Sequence, residues 1–259
     1  MLELDTNNTG GILVYGHRGA GFLAPENTMA SFEMAEEIGV DTIELDVQLT
    51  RDGALVVIHD HAVSRTTTGD GLVGEMTLAE VRQLDAGAKF SQAYAGERVP
   101  VLPEVLDWAK DRIPLLIEIK GFPEPAPEIE AALVKAVQEA SMSDQVLVKS
   151  FFHRSVKRVH EIAPEIATGI LLASAPVDPV QTAWDAGADS LRNFWSYWTE
   201  DAVRVAREAG LHLSAWGVNE EAALKRVLAL KLDSFGTDRP KWALATLEKN
   251  DLRGSHPCL

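Results

Sequence analysis

Cysteine is all but missing from this chain: a single thiol, Cys258, stands among 259 residues. That excludes a disulfide framework and a thiolate zinc site. Basic residues are scarce beside acidic ones, 24 Lys+Arg against 39 Asp+Glu, for a formal net charge of −15. Nucleic-acid binding rests on clustered Lys and Arg, so no nucleic-acid partner is expected. No apolar run reaches the roughly 18 residues that a membrane-crossing helix needs. The opening stretch, Met1-Leu-Glu-Leu-Asp-Thr-Asn-Asn, has neither the basic nor the apolar region of a secretory leader, which points to a cytoplasmic address. Low-complexity segments are absent too. What remains, 46% hydrophobic and 24% charged residues, is the balance of an ordinary globular chain.

Short apolar, β-branched runs recur at 12–17, 42–49, 54–59, 114–120, 145–151, 167–173, 189–193, 211–218 and 234–238. Segments of helical spacing fill most gaps between them, at 26–38, 128–140, 153–162, 179–186, 200–209, 220–229 and 240–249. Pro25 and Thr199 mark helix starts, and Gly39, Gly187 and Gly210 mark helix ends. Strands alternating with helices predict a parallel sheet covered by helices. At this length, with no break in composition, a closed (β/α)8 barrel fits better than an open sheet.

One strand is surplus to eight. The second and third runs are separated only by Thr50-Arg51-Asp52-Gly53, far short of a parallel crossover, so they must form an antiparallel hairpin. Read as a two-residue type I′ loop, Asp52-Gly53 sets a register in which His59 faces Asp46. Residues 61–113 then form the one long excursion, with helical stretches at 77–84 and 102–110. We read it as a small insertion beside the barrel mouth, within a single domain spanning 1–259.

Inward residues of barrel strands form a packed core, yet here chemical groups gather at strand ends, where this fold keeps its active sites. The first strand ends in His17 and Arg18. The second carries Glu44 and Asp46, whose i, i+2 spacing puts both carboxylates on one face. The hairpin returns with His59-Asp60, and the fourth run ends Glu118-Ile119-Lys120. Any one of these would pass for surface decoration; their coincidence on one rim would not. Three carboxylates without a thiolate favour one hard divalent cation, Mg²⁺ or Ca²⁺. Two imidazoles beside it supply acid and base near neutral pH. Arg18 and Lys120 add fixed positive charge for an anion. Trp216, near the end of the eighth run, is a candidate substrate wall, whereas Phe22 and the Phe194–Trp198 cluster read equally well as packing. The other five histidines, His61, His153, His160, His212 and His256, read as structural or surface groups.

In order along the chain, these pieces resemble the bacterial-type glycerophosphodiester phosphodiesterase family. His17-Arg18-Gly19 with Pro25-Glu26-Asn27-Thr28 is similar to that family's opening motif. Glu44-Leu45-Asp46, His59-Asp60 and Arg65-Thr66-Thr67 follow, then Thr77–Val81, Val99-Pro100, Glu118-Ile119-Lys120, Ser150-Phe151, Trp216–Asn219 and Thr237-Asp238-Arg239-Pro240. The resemblance departs at Gly217, where Thr is frequent, and at Phe235-Gly236, where a bulkier pair is common. It implies that Glu44, Asp46 and Glu118 bind the metal, that His17 and His59 are the acid/base pair, and that Arg18 and Lys120 hold phosphate.

The implied reaction is hydrolysis of a glycerophosphodiester to glycerol 3-phosphate and an alcohol, with a bound dication reversing the local sign of an acidic protein. The attacking oxygen is that of water or of the glycerol 2-hydroxyl. His17 is assigned as base and His59 as acid, with Asp46 acting on the His59 ring across the hairpin. The implied partner is a small glycerophosphodiester, with no stable membrane association and a monomer or homodimer as the working state. The nearest rival is a lysophospholipase D-type reaction on lipid. A metal-dependent lyase or isomerase with Lys120 as base, and a non-catalytic phosphate-binding barrel, lie further off.

Overall fold

The computed structural model describes residues 11–250 and 252–253; Cys258, His256 and the opening residues lie outside that range. Among the described residues the strands are β1 (Leu13–Gly16), β2 (Thr42–Leu49), β3 (Leu55–Val57), β4 (Leu115–Ile119), β5 (Val146–Ser150), β6 (Ala167–Leu172), β7 (Ser190–Phe194), β8 (His212–Trp216) and β9 (Ser234–Thr237). Eight of them run parallel in the order β1-β9-β8-β7-β6-β5-β4-β2, and β1 pairs with β2 to close the (β/α)8 barrel expected from the alternation. The remaining strand, β3, runs antiparallel to β2. β2 is long enough to serve two neighbours on one edge: Thr42 and Ile43 pair with β1, while Val47 to Leu49 pair with β3. No helix among the described residues is long and apolar enough to cross a membrane.

Helices α1 (Met29–Ile38), α2 (Leu78–Val81), α3 (Leu102–Ala109), α4 (Ile129–Glu139), α5 (His153–Ile162), α6 (Pro179–Asp185), α7 (Glu200–Glu208), α8 (Glu221–Ala229) and α9 (Pro240–Lys249) complete the chain. The start and stop signals hold: Thr199 caps α7 by accepting from Ala202 N, and Gly39 ends α1 with φ 87°. α1 begins three residues later than its spacing predicts, because Asn27 is left-handed (φ 55°) and Thr28 is the cap. α2 is a single α-turn closed by a Thr77/Glu80 capping box, shorter than the stretch 77–84 suggests. Leu102, Val105, Leu106 and Ala109 of α3 bury into the main core, so α3 serves as the barrel's own crossover helix between β2 and β4. Residues between β3 and α3 instead build a second, small cluster of Val63, Val73, Val81, Ala86 and Val99 on Val56 and Ile58.

The hairpin register differs from the expected one. Val47 pairs with Val57 and Leu49 with Leu55, and Ile58 N donates to Asp46 O at 3.0 Å, so Ile58 rather than His59 sits opposite Asp46. A type I′ loop needs positive φ at both central residues, but only Gly53 (φ 81°) is left-handed. Asp52 is held otherwise by its carboxylate, which accepts from Thr50 Oγ1 at 2.7 Å and from Leu78 N at 2.9 Å. The loop is therefore three residues, Arg51 to Gly53, closed by the Thr50 N to Ala54 O bond. Beyond β3, one amide clasps the returning chain: Gln48 Nε2 lies 3.1, 3.1 and 2.7 Å from the carbonyls of Ile58, His59 and Asp60.

The two departures from the family pattern are space-makers. A Cβ on Gly236 would lie 2.1 Å from Tyr15 Cε2, and one on Gly217 would lie 2.6 Å from Phe194 Cε2. Gly236 admits the Tyr15 ring into the barrel, where its hydroxyl donates to Ala215 O at 3.2 Å.

Candidate active site

Register brings the acids together. Asp46 on β2 is the direct neighbour of Glu118 on β4, and Glu44 lies one inward position below Asp46. Glu44 and Asp46 are fully buried and Glu118 is 5% exposed. Each offers an oxygen within 4.8 Å of the other two. That span is about twice a Ca²⁺–oxygen bond, and modest tightening would suit Mg²⁺. The donor set passes a further test: Asp46 Oδ1 is buried without a hydrogen bond, its ion-pair neighbour Lys120 Nζ standing 3.9 Å away. A buried bare carboxylate oxygen is costly unless a cation completes it. The residues present therefore fit a divalent metal site.

The three acids do not titrate alike. Burial, then the charges of Glu44 and Glu118, push Asp46 above its ordinary value against the pull of Arg18 and Lys120. Burial pushes Glu44 up as well, but Lys149, then His17 and Arg18, more than reverse it and hold Glu44 far below the carboxylate range. The other oxygen of Asp46 is occupied by Asn27 Nδ2 at 2.8 Å. This contact explains the left-handed Asn27: the Pro25–Thr28 segment turns inward to reach Asp46 instead of starting the helix.

Both candidate imidazoles are oriented by carboxylates. His17 Nδ1 lies 2.6 Å from Asp238 Oδ1, and its Nε2 is 3.9 Å from Glu44 Oε2. Asp238 is in turn held by Asn219 Nδ2 at 2.5 Å. His59 Nδ1 lies 2.6 Å from Asp60 Oδ1, and its Nε2 is 3.0 Å from Lys120 Nζ. The partners of His59 are thus Asp60 and Lys120, not Asp46. Asp60 is pushed down to about 2: burial opposes, but the bonds from Arg65 and His59 prevail. For His17 the burial cost pulls downward, yet Glu44 and Asp238 outweigh it and the imidazole sits above its ordinary value. Replacing Asp238 with Asn should therefore lower the His17 pKa, which an NMR titration of the imidazole would read; an unchanged or higher value would contradict this pairing.

A chain of ion pairs rims the mouth. Arg18 Nη1 meets Glu26 Oε1 at 2.8 Å, Arg65 grips both oxygens of Glu26 at 2.7 and 2.8 Å, and Arg65 Nε bonds Asp60. Arg18 also donates its backbone N–H to Glu44 Oε2 at 2.9 Å and places Nε 3.3 Å from Asp46 Oδ2. Lys120 Nζ contacts Glu118 Oε1 at 2.7 Å. Trp216 stands at the end of β8, its indole locked on Leu172 O at 3.0 Å, with Phe194 and Phe151 rings at 4.8 and 5.8 Å. Of the aromatic run after β7, Trp198 is core, 1% exposed and bonded to Ser214 O, whereas Tyr197 is 42% exposed.

All five acid and imidazole groups singled out in the sequence therefore share one pocket with Arg18 and Lys120. One charged member had no signal: Lys149, on β5, puts Nζ 2.9 Å from Glu44 Oε1 and 3.6 Å from Glu118 Oε2. Glu26, Asn27, Asp60 and Asp238 stood in the motifs but without an assigned role.

The sequence profile of the glycerophosphoryl diester phosphodiesterase family matches residues 17–242. The chain is 40% identical over 238 residues to a glycerophosphodiester phosphodiesterase of Caldanaerobacter subterraneus, covering 92% of this chain and 98% of that one. It is 35% identical over 252 residues to a glycerophosphodiester phosphodiesterase of Bacillus subtilis, covering 88% and 84%. Among solved structures, it superposes with TM-score 0.83 at 30% identity on an Oleispira antarctica phosphodiesterase in complex with the product sn-glycerol-3-phosphate, covering 92% and 97%. A glycerophosphodiester phosphodiesterase from Agrobacterium tumefaciens matches with TM-score 0.80 at 30% identity, covering 90% and 99%.

Proposed function

The chain belongs to the glycerophosphoryl diester phosphodiesterase family, and we propose that it hydrolyses glycerophosphodiesters to glycerol 3-phosphate and an alcohol by metal-dependent acid–base catalysis. The observation that carries this reading is three buried carboxylates within 4.8 Å of one another, flanked by two imidazoles that carboxylates orient. Glu44, Asp46 and Glu118 would hold one divalent cation, Mg²⁺ or Ca²⁺. When bound, the cation would offset negative charge on the phosphoryl oxygens as the transition state forms. Arg18 and Lys120 add their charge on the open side and give the anionic diester a positive seat in an acidic protein.

The neighbours of the two imidazoles favour roles opposite to those first expected. His17, whose imidazole Glu44 and Asp238 push above its ordinary value, serves as the acid. Its proton goes to the alkoxide oxygen as the P–O bond breaks. His59 gives Nδ1–H to Asp60 and leaves Nε2 to accept from Lys120, the arrangement of a neutral ring. Once Lys120 turns to a phosphate oxygen, that lone pair can take the proton of the attacking oxygen, whether of water or of the glycerol 2-hydroxyl. Trp216, braced by Phe151 and Phe194, forms an apolar wall for the substrate.

The test is release of glycerol 3-phosphate from glycerophosphocholine with and without chelator. Activity should vanish with chelator and return with added Mg²⁺ or Ca²⁺; turnover indifferent to chelator would overturn the reading. A second arm uses lysophosphatidylcholine, because Phe22, Phe122 and Phe151, in loops that follow β1, β4 and β5, are 64%, 71% and 43% exposed. Glycerophosphocholine is expected to be the faster substrate.

A further inference from the structure

Carboxylates packed inside a barrel repel one another strongly, since little water screens them. Three cations answer the three acids: Arg18 Nε at 3.3 Å from Asp46 Oδ2, Lys120 Nζ at 2.7 Å from Glu118 Oε1, and Lys149 Nζ at 2.9 Å from Glu44 Oε1. The three are not equivalent. The Arg18 and Lys120 side chains are each 17% exposed and stand on the open side, where a substrate anion can reach them. The Lys149 side chain is 3% exposed, buried inside the barrel and shielded from the mouth.

Its neighbours keep it there. Lys149 Nζ lies 5.9 Å from the centre of the Tyr15 ring, and Arg192 Cζ lies 5.6 Å from it. Tyr15 occupies the room left by Gly236, while the Arg192 side chain crosses Gly169, where a Cβ would stand 3.3 Å from Nε. Arg192 is itself only 1% exposed. A second buried cation thus lies against the same ring, and Lys149 Nζ meets Glu44 and Glu118.

Resting on the metal reading above, we propose that Lys149 is a positioning residue that assembles Glu44 and Glu118 before the metal arrives and holds the affinity for metal alone down. With Lys149 in place, each of the three acids already has a cation beside it. An arriving dication is repelled by those three cations, and an anion at Arg18 and Lys120 offsets part of that repulsion. Metal and phosphate should therefore bind together, each tightening the other by the same factor.

Calorimetric titration with Mg²⁺ and with Ca²⁺, with and without saturating inorganic phosphate, tests this together with thermal melts. In the parent protein phosphate should tighten metal binding by about tenfold or more. Lys149→Gln removes the charge and keeps a hydrogen-bond donor. It should melt lower without metal, bind metal alone roughly tenfold tighter or better, and show a larger metal-induced rise in Tm. Lys149→Arg keeps the charge and should return metal affinity toward the parent value. A purely structural lysine predicts the opposite for Lys149→Gln, weaker metal binding, and that result or an unchanged affinity would overturn the proposal. Should the Gln variant not fold, the parent decides alone: metal affinity indifferent to phosphate sinks it. A parent that binds neither metal refutes the metal reading itself, a separate outcome.

Discussion

Replacing His17 with alanine is expected to lower kcat on glycerophosphocholine by about 10²–10⁴-fold. The alkoxide leaving from phosphorus is strongly basic, and without a proton in transit the P–O bond breaks slowly. A proton donor acts only as that bond breaks, so kcat and kcat/KM should fall together while KM changes little. Metal binding should survive, because His17 stands 3.9 Å from Glu44 and is not among the three acids. The chemistry offers a sharper reading than the loss itself. A diester whose leaving group is a weakly basic nitrophenolate needs little help from an acid, so the deficit of His17→Ala should shrink on it. The deficit of His59→Ala should not, since the nucleophile still has to lose its proton. Equal deficits on both substrates for His17→Ala would contradict its role as acid, and a loss below tenfold on glycerophosphocholine would remove it from the chemistry.

Glu44→Ala is expected to fail twice over. Turnover should drop to the level seen with chelator, since one of the three carboxylates proposed to hold the metal is gone and the remaining two are poorer holders of a dication. The fold should weaken as well. Glu44 is fully buried and its Oε1 is 2.9 Å from Lys149 Nζ, so truncation leaves that buried ammonium to Glu118 Oε2, 3.6 Å away, and also removes the acceptor of Arg18 N. Breaking one side of a buried ion pair costs about 3–5 kcal/mol, which for a chain of this size is a fall in Tm of about 10 °C. Calorimetry with and without Ca²⁺ separates the two effects. Glu44→Gln, which keeps the shape and an acceptor for Arg18 N, should recover part of the melting temperature and none of the metal-dependent rise. A Glu44→Ala protein that melts like the parent, or still gains stability from metal, would contradict the site described here.

Much of this was legible before any coordinates because the chemistry is written at strand ends. Glu44 and Asp46 two apart on β2, and Glu118 and Lys120 two apart at the end of β4, declare their shared face by period alone. The barrel needed only alternation and a length. What escaped detection lies across the barrel, where no spacing speaks. Lys149 sits in Val146-Leu147-Val148-Lys149-Ser150 and reads as any strand-end lysine; its partner Glu44 is more than a hundred positions away. Tyr15 and Gly236 are matched only through space. The hairpin register departs from its expectation for a different reason. Asp52-Gly53 suits both a two-residue and a three-residue loop, and contacts from Thr50 and the distant Leu78 N decide between them. The start of α1 is hidden from sequence because Pro25 is a sound helix opener, while the pull of Asn27 toward Asp46 is a tertiary fact.

The ion pairs that run from Arg18 through Glu26 and Arg65 to Asp60 and His59 tie the loop after β1 to the segment after β3. One end of that string bears on Asp46 of the buried acid cluster and the other on an imidazole. An exchange of the segment between β3 and α3 with that of a relative would therefore not be a neutral graft. Unless the incoming piece again delivers a guanidinium to Glu26, the donor's loop would unfasten both ends of the pocket at once, however well its own small apolar cluster packed.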